Sequence, residues 1–184
     1  SNALKEILKN KGPDFRMRDV ELLVRFYAFH YFMQEYTGDL KGILDIACGR
    51  LNERWGKDEP EIRQLSQEFE SAFQAAKAVF GEKSVFRKWT TSGYETRFNR
   101  AIFDVVMHYF ADPIVRDSAV ANKQAVEDQF KTLCVQDQTF LGAIEKTTKS
   151  LDATHIRFSK WASALNESLG TKIPVPMLIN GRIV

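Results

Sequence analysis

Between Val20 and Tyr36 apolar residues fall on almost every side of a helix: Leu22, Leu23, Val24, Phe26, Tyr27, Phe29, Tyr31, Phe32 and Met33. A helix apolar nearly all round is normally enclosed by other helices. Arg25, His30, Gln34 and Glu35 interrupt it, and it is too short to span a membrane. Asn99–Ala111 has the same character through Ile102, Phe103, Val105, Val106, Met107, Tyr109 and Phe110. The two stretches are predicted to pack side by side at the centre.

The other segments are one-sided. In Asp39–Trp55, Leu40, Ile43, Leu44, Ala47 and Leu51 recur at helical spacing. Glu59–Phe80 has the clearest stripe: Ile62, Leu65, Phe69, Ala72, Phe73, Ala76, Val79 and Phe80. Asp58 reads as its N-cap, Pro60 sits in the first turn, and Gly81 closes it. Shorter amphipathic helices are predicted over Pro113–Val120, Asn122–Val135, Gln138–Thr147 and, behind a Ser150 cap, Asp152–Leu169. Leu4–Asn10 reads as a further short helix. Gly38 is expected to stop the central helix. Glu82–Phe98 reads as a turn of helix and then a loop. The tail, Ile173–Val184, reads as extended, either a short strand or a coil. No alternating run is long enough for a sheet, so the fold class is all-α: an irregular bundle of seven to nine helices.

Composition adds three things. At 184 residues and 44% hydrophobic content, one domain with a sizeable core is expected. Residues 1–3, Ser1-Asn2-Ala3, read as an expression-tag remnant, which leaves 4–184 as the helical domain. The net charge of +2 gives no bulk argument for nucleic acid, so any contact must come from a local patch. Cys48 and Cys134 lie in separate helical segments and read as buried, reduced thiols. With no secretory leader and no long apolar run, a cytoplasmic, non-membrane protein is expected. The Asn166-Glu167-Ser168 sequon then reads as a chance match.

Catalytic and metal-binding patterns are sparse. His30, His108 and His155 lie on different segments; only His108 has a carboxylate, Asp104, on its own helix face, which reads as a hydrogen-bonded pair rather than a metal site. No zinc-type cysteine pair, nucleophile elbow or phosphate-binding glycine loop is present. No cofactor or metal is expected in this chain. Arg16, Arg18, Asp19 and Glu21 cluster at the start of the central helix, where capping and ion pairing are the ordinary roles. Arg25 falls in the most apolar stretch and must be paired if enclosed; Glu21, one turn earlier, is the nearest candidate. Lys83, Arg87, Lys88, Trp89, Tyr94, Arg97 and Arg100 interleave cations with aromatics, a pattern that can contact phosphates and stack on bases. The same segment could instead be a docking loop with Trp89 plugged into the core.

The run Arg16-Met17-Arg18-Asp19-Val20-Glu21-Leu22-Leu23-Val24-Arg25-Phe26 resembles a signature in the helical half of the family called domain of unknown function 262. Tyr36-Thr37-Gly38, Val79-Phe80-Gly81-Glu82, Phe86-Arg87, Asn99-Arg100-Ala101-Ile102-Phe103 and Ser150–Trp161, with Arg157, follow in that family's order. The resemblance implies the ParB-like front region of GmrSD-type modification-dependent restriction enzymes, in antiviral defence. It also implies that any activity lies in a nucleotide-hydrolysing half, whose Asp-Gly-Gln-Gln-Arg motif is absent here. Arg16, Asp19, Glu21 and Arg25 match signature positions and are read as structural first. The expected function is therefore a helical scaffold that contacts DNA and partners an N-terminal half. The alternative is a protein-interaction or dimerisation module with no nucleic-acid contact.

Overall fold

The computed structural model describes residues 18–55, 57–146 and 148–184. Among these residues it is an all-α assembly of eight α-helices with two minimal β-hairpins. In order these are α1 (Arg18–Tyr31), a 3-10 turn (Met33–Glu35), α2 (Leu40–Arg54), α3 (Glu59–Phe80), β1 (Trp89–Thr90), β2 (Gly93–Tyr94), α4 (Arg100–Ala111), α5 (Pro113–Ala121), α6 (Lys123–Gln136), α7 (Gln138–Glu145), α8 (Leu151–Leu169), β3 (Leu178–Ile179) and β4 (Arg182–Ile183). The short helix predicted over Leu4–Asn10 lies outside the described residues.

Capping sets most boundaries. The Asp58 carboxylate accepts from Glu61 N, and α3 ends at Gly81 with φ +80°. Asn99, Asp112, Asp137 and Ser150 cap α4, α5, α7 and α8 in the same way, each bonding amides two or three residues on.

The most enclosed helix is α4: every residue from Ala101 to Ala111 except His108 is buried. Phe103 anchors it against Phe86 and Phe69, with ring centroids 5.0 and 6.4 Å away. Helix α1 lies beside it and is more open than its composition predicts. Its middle, Val24 to Phe29, is buried, but Val20 and Tyr31 at the two ends are half exposed. On the far side Phe130 meets Trp161 at 5.6 Å, joining α6 to α8. Removing one such aromatic from a core typically costs about 3–5 kcal/mol.

Helix α1 stops at Tyr31, not at Gly38 as expected. Phe32 leaves helical geometry, and the 3-10 turn directs Tyr36 inward. Tyr36 is fully buried, lies 5.4 Å from Phe29, and donates to the carbonyl of Lys149. Burial of Met33 and Tyr36 outweighs the good helical sequence that would have carried the chain on. Gly38 serves the next corner: its φ is +92°, and a Cβ there would sit 3.2 Å from Leu151 N at the start of α8.

Two further expectations change. The tail forms an antiparallel hairpin, β3 with β4, through a two-residue Asn180-Gly181 turn with both φ values positive. Asn166 clasps the start of that tail: Oδ1 accepts from Ile173 N and Nδ2 donates to Ile173 O. Cys134 is buried as predicted, but Cys48 is exposed because it falls on the solvent side of α2.

Candidate functional site

Helices α1 and α4 run parallel, and three contacts in the same register show it. Glu21 pairs with Arg100 at 3.2 Å, Arg25 with Asp104, and the Phe29 carbonyl with His108 Nδ1 at 3.0 Å. Each step is four residues on both helices, about one turn. The N-terminal ends of both helices therefore meet at one end of the molecule and their C-terminal ends at the other.

The middle contact is a buried charge cluster. Arg25 donates from Nε and Nη2 to the two Asp104 oxygens, at 2.9 and 2.5 Å. Arg157 of α8 approaches the same carboxylate at 3.5 Å and donates to Thr148 O at 2.7 Å. All three side chains are buried. Burial by itself lowers the Arg25 pKa, but Asp104 overrides it and the guanidinium ends above its ordinary value. Arg157, more deeply enclosed and less closely paired, is held below its ordinary value by burial. Arg157 Nε has no hydrogen-bond partner among the described residues. Two guanidiniums thus share one carboxylate, and a net positive charge is enclosed at the middle of the bundle.

One expectation is extended and another corrected. Arg25 forms the expected ion pair with Glu21 at 3.8 Å, but Asp104 is its closer partner. Asp104 is not the partner of His108, whose Nδ1 instead donates to the Phe29 carbonyl. The sequence carries a clue to both. Asp104 is the lone acid in the apolar α4, so it requires a buried cation just as Arg25 requires a buried anion.

Outside this cluster, at the N-terminal ends of α1 and α4, lies a cleft of about 570 Å³. Five cations line it, Arg25, Lys88, Arg97, Arg100 and Lys149, against three carboxylates, Glu21, Glu95 and Glu145. Asn99 shapes its floor, capping α4 and donating from Nδ2 to Ile144 O at 2.9 Å. Segment 82–98 is steered into place by Phe86, which is buried at φ +57°, a strained value for a bulky residue. The α4 N-terminus adds partial positive charge.

The predicted contact residues divide sharply here. Lys88 is salt-bridged to Glu95 at 2.6 Å and to Glu145, and the two carboxylates, Glu145 first, hold its pKa above the ordinary value. Arg100 is paired with Glu21. Arg87 donates to Thr96 O outside the cleft, and Lys83 is exposed elsewhere. Trp89 and Tyr94 face each other across the β1–β2 hairpin, 4.9 Å apart. Lys131 sits 4.7 Å over the Trp89 ring, and the Tyr94 hydroxyl donates to Glu127 at 2.9 Å. Both aromatics are half-buried against α6, neither plugged into the core nor open on both faces. Arg97 and Lys149 are exposed and unpaired among the described residues. Of the signature residues, Glu21 and Arg25 reach the cleft, Asp19 bonds its neighbour's amide, and Arg16 lies outside the described residues. Sequence reasoning missed Glu145, at the end of α7, and Lys149, in the α7–α8 connection, which join the cleft.

Among the described residues no group of three His, Cys, Asp or Glu side chains could hold a metal ion, and no helix is long and apolar enough to cross a membrane. Compared with family models, curated proteins and solved structures, the chain matches none.

Proposed function

We propose that this chain is the helical scaffold and DNA-contacting part of a defence-associated protein of the modification-dependent restriction type, and that contact is made through the cationic cleft. One observation carries the reading. The signature stretch and the basic segment, distant in sequence, meet in one cleft where cations outnumber carboxylates. A phosphate there would be met by the freely exposed Arg97 and Lys149. The contact would position the nucleic acid and read no sequence, because Trp89 and Tyr94 are already engaged with α6.

The test is duplex DNA binding by fluorescence anisotropy across a salt series. The double variant Arg97→Glu, Lys149→Glu removes two exposed cations without touching the core. It should weaken binding and reduce the slope of log affinity against log salt by about 0.9 for each phosphate it no longer neutralises. Unchanged affinity and slope would remove the cleft from DNA contact. Lys88→Glu is a poor probe, because it would place a third carboxylate against Glu95 and Glu145.

A protein-interaction or dimerisation role is the second reading. Trp55, 72% exposed at the end of α2, is the largest apolar side chain through which such a contact could be tested. Sedimentation of wild type and Trp55→Ser at rising concentration decides this: a Trp55-dependent dimer supports the reading, and a monomer throughout counts against it.

A further inference from the structure

The opposite end of the α1–α4 pair holds a second cavity, a groove of about 800 Å³, within the range of small-molecule sites. It lies between the helix C-termini, the start of α5 and the C-terminal tail. Its walls are aromatic and aliphatic, including His30, His108, Tyr109, Val115, Ile173 and Ile183. The hydroxyl of Tyr109 is already committed to Phe158 O, so that ring presents mainly an apolar face.

The charges around the groove have a sign. Asp112 and Glu35 line it against a single cation, Lys172. Asp112 Oδ1 is used in capping α5, leaving the carboxylate's charge uncompensated by any ion pair among the described residues. The C-terminal ends of α1 and α4 add partial negative charge, and the N-terminus of α5, capped by Asp112, adds partial positive charge beside them. The two imidazole rings lie 5.7 Å apart, and burial favours their neutral forms, so they offer π faces rather than competing positive charge. His30 Nδ1 is enclosed without a hydrogen-bond partner among the described residues.

We propose that this groove binds a small hydrophobic amine, its apolar body against the aromatic wall and its ammonium toward Asp112 and the two helix ends. The site is independent of the DNA reading, since none of its residues lines the cationic cleft.

The experiment compares three probes of one size, phenethylamine, 2-phenylethanol and phenylacetate, by calorimetric titration and by NMR of the His30 and His108 rings. The amine should bind saturably, shift both imidazoles, and bind about tenfold tighter than the alcohol, with phenylacetate weakest. Asp112→Asn keeps an N-cap of equal quality while removing the charge, and should bring the amine down to the level of the alcohol. Ile114→Lys, at a rim position 75% exposed, should weaken amine binding by repulsion. Absence of saturable binding by all three probes at millimolar concentration would overturn the site. Phenylacetate or the alcohol binding as well as the amine would overturn the assignment of an amine, as would an Asp112→Asn variant that leaves the preference intact.

Discussion

The two ends of the α1–α4 pair are built from the same helices and have opposite character. At the N-terminal ends, cations outnumber carboxylates around a polar cleft. At the C-terminal ends, two histidines and two carboxylates, Asp112 and Glu35, line an apolar groove with a single cation, Lys172. Parallel packing of α1 and α4 contributes to this, beside the charged side chains that other segments bring to each end. In an antiparallel pair each end would carry one positive and one negative helix terminus, and the dipoles would largely cancel. Here they add, and the charged side chains follow the same sign. The buried Arg25–Asp104–Arg157 cluster stands between the two ends and holds the helices in the register that makes both.

The largest expected effect is on that link. Asp104→Asn preserves shape but leaves two enclosed guanidiniums without their counter-charge. Stability measured by urea unfolding should fall by about 3–5 kcal/mol. A fall under about 1 kcal/mol would mean that the cluster does not hold the two helices together. Replacing all three charges by apolar residues of similar size should recover most of the stability, because the penalty comes from leaving charges uncompensated.

Next comes the response to acid, which should be specific to the histidine end. Burial, with a contribution from His30, pushes the His108 pKa from 6.5 down to about 3. In the unfolded chain the same residue takes up its proton near 6.5. Between those values the unfolded state binds more protons than the folded one, so stability falls as pH drops through that window. The slope from this one group approaches about 1.4 kcal/mol per pH unit. His108→Gln should show a shallower acid response than wild type in urea titrations between about pH 7 and 4. Equal slopes would show that His108 titrates normally in the fold. The smallest effect belongs to the cationic end. The Arg100–Glu21 pair is nearly half exposed, so Arg100→Ala should cost under about 1 kcal/mol, a cost that shrinks further in added salt.

Legibility follows the range of the forces involved. Helix α3 is readable at both ends because Asp58, Pro60 and Gly81 act within a few residues of themselves. The stop of α1 is not, because no local breaker marks Phe32; the turn exists so that Met33 and Tyr36 can be buried. The tail hairpin does have a local signal, Asn180-Gly181 between apolar pairs, which the reading of an extended strand or coil overlooks. The cationic segment is recognisable, but not which of its charges stay free. Lys88 is neutralised by Glu145, 57 residues away, a pairing that no spacing rule reveals.

By itself the sequence determined an all-α bundle, the apolar stripes and the ends marked by Asp58, Gly81 and Ser150, because periodicity and capping are set by residues a few positions apart. The tertiary structure alone decided that α1 and α4 run parallel, that Asp104 is shared by two arginines, and that Arg97 and Lys149 keep their charge exposed. Each of those depends on groups far apart in the chain meeting within a few ångströms, where burial and charge pairing are settled together.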